Sequence, residues 1–252
     1  MAGKVTSQII PKVIFLGDSI TQLGWSYDGG WLSILASNFV RKLDVIGRGF
    51  SGYNTRMCKP LVPLLFPNSA SVENCRMLSI FFGANDASIA EQHVPVEEFK
   101  TNLQWMIQYF QGLGLPTKSL MIISLPPVDE ARYGGRQIAE GLPVSRLLKN
   151  CVIYANAAKE VAGAAKVTFV NIFEAMVAQK NWPELLIDGL HFSRKGSEFV
   201  ADILTNILTT RLAADCADIA FPYWKDLDRE NPQHSIDNYM KSLASKASEG
   251  EQ

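Results

Sequence analysis

Short apolar runs punctuate this chain at residues 13–16, 43–46, 77–82, 120–125 and 167–170. None of them alternates apolar with polar positions. A strand with one wet face alternates, whereas a strand covered on both faces reads as a continuous apolar run, so these five segments predict a parallel sheet between two layers of helices. Segments of helical period lie between them. Trp31, Ile34, Leu35 and Phe39 form one apolar stripe, Phe99, Leu103, Met106, Ile107 and Phe110 another, and residues 144–162 and 193–211 complete the set. Alternation of strand and helix predicts a doubly wound α/β sheet with right-handed crossovers. Such sheets bind ligands beyond the carboxyl ends of their strands, so chemistry is expected in the loops that follow each strand.

At 252 residues with no compositional break, one domain spanning 1–252 is the expectation. Residues 129–142, with glycines at 134, 135 and 141, read as a mobile surface excursion beside the active edge of the sheet. From about 221 the tail "FPYWKDLD" is aromatic enough to dock on the body, and beyond Ser242 the composition predicts a fraying end.

Charge narrows the class of partner. Twenty-four basic and 25 acidic residues leave a formal net charge of -1, which gives no field to hold nucleic acid or an acidic membrane, so a neutral small molecule is the expected ligand. Cys58, Cys75, Cys151 and Cys216 are widely spaced and read as reduced, buried thiols. His93 and His234 have no neighbours at metal-ligand spacing, and no cofactor or metal is expected. The amino terminus lacks the pattern of a secretory leader, and no window has the apolar length of a membrane span, so a cytoplasmic location is expected. Oligomeric state is left open, a homodimer included.

Four loops carry candidate chemistry. The first strand exits into "FLGDSITQ", where Gly17 permits a tight turn and Ser19 is presented at the start of the next segment. The second exits into "GRGFSGYNT", where Gly52 is able to lend a backbone N–H to the same space. The third exits into "FFGANDA", with the Asn85 amide able to donate to an oxygen of developing negative charge. After the last strand, "DGLHFS" places Asp188 three residues before His191, so that the carboxylate is able to hold one imidazole nitrogen and present the other. Each alone has a bland alternative, in turn chemistry or helix capping. Jointly they supply a nucleophile, two oxyanion donors and an oriented base from separate strand ends, and coincidence is the poorer explanation.

The blocks "GDSIT", "SGYNT", "GAND" and "DGLH" resemble those of the SGNH, or GDSL-type, hydrolases. Position by position, the resemblance implies Ser19 as nucleophile, Asp188 and His191 as its triad partners, and the Ser19 N–H, Gly52 and Asn85 as the oxyanion hole. It also implies a three-layer flavodoxin-like fold with a five-stranded parallel sheet. Chain length, block order, Pro126–Pro127 and the "FPYWKDLD" tail are similar to the isoamyl acetate-hydrolysing esterase branch, which implies short-chain acetate esters of small alcohols. Ile20 stands where many members have leucine. Trp25, Tyr27, Tyr53 and Pro127 lie near the four loops and are candidates to line the substrate pocket.

Two alternatives remain. Thioesterase, lysophospholipase, carbohydrate deacetylase and acyltransferase chemistry would use the same residues. From a different class, Gly47, Gly49 and Gly52 form G-x-G-x-x-G after a strand with Glu73 downstream, as in a nucleotide-binding module. That loop follows the second strand instead of the first, and Pro60 and Pro63 interrupt the helix that should receive a pyrophosphate.

Overall fold

The computed structural model describes residues 10–249. All five apolar runs form strands: β1 Lys12–Gly17, β2 Asp44–Gly49, β3 Cys75–Phe81, β4 Leu120–Ile123 and β5 Thr168–Val170. They make one parallel sheet in the order β2-β1-β3-β4-β5. β1 and β4 are buried along their whole length, which is why their sequences show no alternation. β2 sits at the edge and tolerates the exposed Asp44 and Arg48.

Helix Trp31–Asn38 packs with helix Arg194–Arg211, and Val96–Gly112 packs with Leu148–Ala165, giving a helical layer on each side of the sheet. The α/β three-layer expectation therefore holds. The register sets the position of the site. Gly17 pairs with both Gly49 and Phe81, so β1, β2 and β3 end level and release their loops side by side. The chain leaves β1 toward β2 on one side and β3 lies on the other, which makes a crevice at this end of the sheet.

Three expectations are corrected. Residues 129–142 are mostly helix, Glu130–Ala139, with the Asp129 carboxylate accepting from the Arg132 N–H at 3.2 Å. The helix is fixed on the Asp188 loop, for the Asp129 N–H donates to the Gly189 carbonyl at 2.8 Å. Gly189, at φ +90°, is approached so closely that a Cβ would lie 2.7 Å from the Tyr133 nitrogen. Second, the helix expected from 144 begins only at Leu148. The Ser145 N–H donates to Gln137 and the Arg146 side chain turns inward to two amide oxygens, contacts that replace a first helical turn. Third, helix extends past Ser242, from Pro232 to Glu249.

The tail docks through backbone and charge. Arg41 donates to the carbonyls of Phe221 and Pro222 at 2.5 and 2.7 Å and lies over the Tyr223 ring at 4.9 Å, while Trp224 stays exposed. Among the described residues no helix is long and apolar enough to cross a membrane.

Candidate active site

Ser19 begins a single helical turn, Ser19–Gln22, directly after β1. Asp18 caps the turn by accepting from the Ile20 N–H at 2.9 Å, and the Trp31 indole donates to the Ile20 carbonyl at 2.9 Å. Trp31 is itself buried edge-on against Phe15. The backbone on both sides of the hydroxyl is thus tied to the core.

Beyond β5 and helix Ile172–Val177, the turn at 186–193 brings His191 to this hydroxyl. Ser19 Oγ lies 2.9 Å from His191 Nε2, and His191 Nδ1 lies 2.8 Å from Asp188 Oδ2, across 172 residues of chain. The other Asp188 oxygen accepts the N–H groups of Leu190 and His191 at 2.9 and 2.8 Å. Burial opposes ionisation of Asp188, yet these donors outweigh it and hold the carboxyl well below the usual carboxylate range. An ionised carboxylate only accepts, so Nδ1 carries the proton and Nε2 offers its lone pair to the serine O–H.

The second and third loops close around the same place. Gly52 adopts φ +80° in a turn pinned on both sides. The Ser51 N–H donates to Gln22 Oε1 at 2.9 Å, and Gln92 Nε2 donates to the Gly52 carbonyl at 2.8 Å. Asn85, 4% exposed, donates one amide hydrogen to the Tyr53 carbonyl at 2.8 Å and accepts from Arg146 Nη2 at 2.8 Å. This fixes which end of the amide is nitrogen and leaves its second N–H for a ligand.

Asp86 joins the two loops. One of its oxygens accepts from the Thr55 N–H at 3.0 Å and from the Thr55 hydroxyl; the other is buried without a partner among the described residues. Burial pushes its carboxyl up to about 6, against the lowering effect of Thr55. Arg146 and Gln92 were not singled out in the sequence. No local pattern marks them, because each acts across more than 50 residues in reaching Asn85 or its partner.

Beside His191 is a cavity of about 190 Å³ lined by Ile20, Leu23, Trp31, Ile187 and Arg194 among others. Trp25, Tyr27, Tyr53 and Pro127 are not part of this lining. Tyr27 projects fully into solvent and Pro127 is buried. Leu23 and Ile187, which do line the cavity, are exposed apolar residues.

The glycines of the dinucleotide-like pattern have another use. A Cβ on Gly49 would lie 2.0 Å from the Gln22 nitrogen, and one on Gly47 2.3 Å from the Trp25 indole nitrogen. They admit the Ser19 turn and Trp25 where a pyrophosphate would have to lie. Cys58 is buried and its thiol is pushed up to about 12, chiefly by burial, which makes it inert.

Comparison with known proteins shows what the chain is similar to. A GDSL-like Lipase/Acylhydrolase family matches residues 15–199. The Isoamyl acetate-hydrolyzing esterase 1 homolog of Mus musculus is 37% identical over 240 residues, covering 93% of this chain and 95% of its own. A GDSL esterase/lipase of Arabidopsis thaliana is 33% identical, covering 90% and 98%. Among solved structures, the lipase/acylhydrolase from Enterococcus faecalis superposes with a TM-score of 0.65 at 25% identity, over 80% of this chain and 97% of that one. With a match over most of its length and relatives above 30% identity along nearly all of it, this chain belongs to the GDSL-like lipase/acylhydrolase family.

Proposed function

We propose that the protein is a serine esterase that hydrolyses short-chain carboxylic esters of small alcohols through an acyl-serine intermediate. The observation that carries this is the Ser19–His191–Asp188 chain, with both hydrogen-bond distances under 3 Å. His191 Nε2 takes the proton as Ser19 Oγ bonds to the ester carbonyl carbon. The negative charge on the carbonyl oxygen is met by the N–H groups of Ser19 and Gly52 and the free amide hydrogen of Asn85. Collapse of this intermediate breaks the bond to the alcohol oxygen, which receives the proton from His191. Water then repeats the sequence on the acyl-serine, releasing the acid and restoring the neutral imidazole.

Size selects the substrate class. The alcohol must leave on the His191 side, where the neighbouring cavity of about 190 Å³ is walled by Ile20, Leu23 and Ile187. That is below the volume of sites that enclose drug-sized ligands. The names of the curated relatives agree with acetate esters of small branched alcohols.

Rates across p-nitrophenyl esters of increasing acyl length test the proposal, with Ser19→Ala as the control. The expected outcome is a steep fall beyond acetate or butyrate, and no fluorophosphonate labelling of Ser19→Ala. Equal or rising rates with long acyl chains, or preferred turnover of thioesters, would exclude the short-chain ester assignment. Full labelling of Ser19→Ala would exclude the nucleophile.

A further inference from the structure

Arg146 is 3% exposed, yet no acid faces it within hydrogen-bonding distance among the described residues. Its Nη1 donates to the carbonyl and hydroxyl of Ser145, both at 3.2 Å. Its Nη2 donates to Asn85 Oδ1 at 2.8 Å and to Gln92 Oε1 at 2.5 Å. Nε is buried without a partner among the described residues. A buried guanidinium normally faces a carboxylate, because an uncompensated charge away from water is costly. Asp18 and Asp86 are the carboxyls whose charge acts on it, and burial pushes them up, to about 7 and about 6. The cation is therefore spent on two neutral amide oxygens.

Those two amides are the ones that shape the oxyanion site. Asn85 Oδ1 held by Arg146 leaves Nδ2 pointing to Tyr53 and to the catalytic space. Gln92 Oε1 held by Arg146 leaves its Nε2 on the Gly52 carbonyl, which sets the turn presenting the Gly52 N–H. Gln92 is tied further, its own carbonyl accepting from Asn54 Nδ2 at 2.9 Å. Both donors outside Ser19 are thus oriented from one guanidinium, whose planar fork reaches two acceptors at once.

We infer that Arg146, relayed by Gln92, is a positioning residue for the oxyanion hole, fixing the Asn85 amide and the Gly52 turn from behind and polarising the amide that meets the developing charge. The inference rests on the esterase assignment of the site. It predicts an effect on turnover with little effect on substrate binding, since the charge develops only in the transition state.

A double-mutant cycle tests it, with p-nitrophenyl acetate as substrate and kcat, KM and melting temperature measured for each variant. Asn85→Ala alone should lower kcat about 10²–10³-fold. Arg146→Met should lower kcat by about 30-fold or more with KM changed by less than about threefold, and Gln92→Ala by about 3–10-fold. In the Asn85→Ala background, Arg146→Met should cost no more than Gln92→Ala does alone, about 3–10-fold, because the route through Asn85 is gone and only the one through the Gly52 turn is left. Losses that multiply in full, or a loss confined to KM, overturn the inference. If Arg146→Met does not fold, Gln92→Ala decides by its own constants: a kcat loss of about 3–10-fold with KM nearly unchanged supports the inference, and an unchanged kcat or a loss confined to KM overturns it. Unchanged kcat in Asn85→Ala would bring down the oxyanion assignment and the inference with it; a large loss there, with none in Arg146→Met or Gln92→Ala, would bring down the inference alone.

Discussion

Arg136 Nη1 stands 3.1 Å from Asp188 Oδ2, the oxygen that also accepts the His191 Nδ1–H at 2.8 Å. The side chain comes from helix Glu130–Ala139 and is partly exposed. A cation here competes for the carboxylate and repels an imidazolium. Removing it in Arg136→Gln leaves that oxygen to His191 and should raise kcat/KM on p-nitrophenyl acetate by less than about threefold, the gain shrinking as salt is raised from about 0.02 to 0.5 M. Rates recorded at both salt concentrations check this; a fall in rate would show that Arg136 does not compete for the carboxylate.

Asp188→Asn tests the tautomer. An amide at this position can offer an N–H to Nδ1, and the ring would then carry its proton on Nε2, where it cannot accept from Ser19. The expected loss in kcat is about 10³–10⁴-fold with the fold retained. A loss below about tenfold, with an unchanged melting curve, would mean that the carboxylate does not set the ring's protonation.

Gly49→Ala links packing to the site. The new methyl would meet the Gln22 backbone, which cannot yield as a flexible side chain can. Moving the turn that carries Ser19 should cost about 1–3 kcal/mol of stability. Displacing Oγ from His191 should lower kcat about 10²-fold if the shift approaches 1 Å. Thermal melts and kcat on the same samples separate the two effects, and wild-type turnover in a destabilised variant would show that the turn does not need this close approach.

The sheet was legible because burial on both faces leaves a continuous apolar run, and β1, β3 and β4 do so plainly. Ser19, Gly52 and Asn85 stand out as candidates because each lies within four residues of a strand end, and Asp188 and His191 because their spacing of three lets the two side chains meet locally. Arg146 and Gln92 were not, since their role exists only after loops more than 50 residues apart have met. Helix Glu130–Ala139 was hidden by Gly134 and Gly135, whose low helix propensity is overridden by the Asp129 cap and by docking on Gly189. The lining of the cavity beside His191 was not legible for a related reason. Aromatic residues near a site are conspicuous in sequence, while Leu23 and Ile187 gain meaning only from where the backbone aims them.

Asp18 makes stability depend on pH in a direction opposite to the usual carboxylate. It is 1% exposed; burial pushes its carboxyl from 3.8 up to about 7, opposed by the Ile20 N–H and reinforced by Asp86. Below about pH 4 both folded and unfolded chains hold the proton, and Asp18 contributes no pH dependence. Between about pH 4 and 7 the unfolded chain releases it while the folded chain keeps it, so stability falls as pH rises. Above about 7 the penalty becomes complete, with a ceiling of roughly 4 kcal/mol. Asn in place of Asp18 keeps an oxygen for the Ile20 N–H and has no charge to bury. Asp18→Asn should therefore melt close to wild type at pH 4.5 and progressively above it at pH 6 and 8. A difference in melting temperature that stays constant over this range, or narrows as pH rises, would show that the folded state does not hold a proton on this carboxyl.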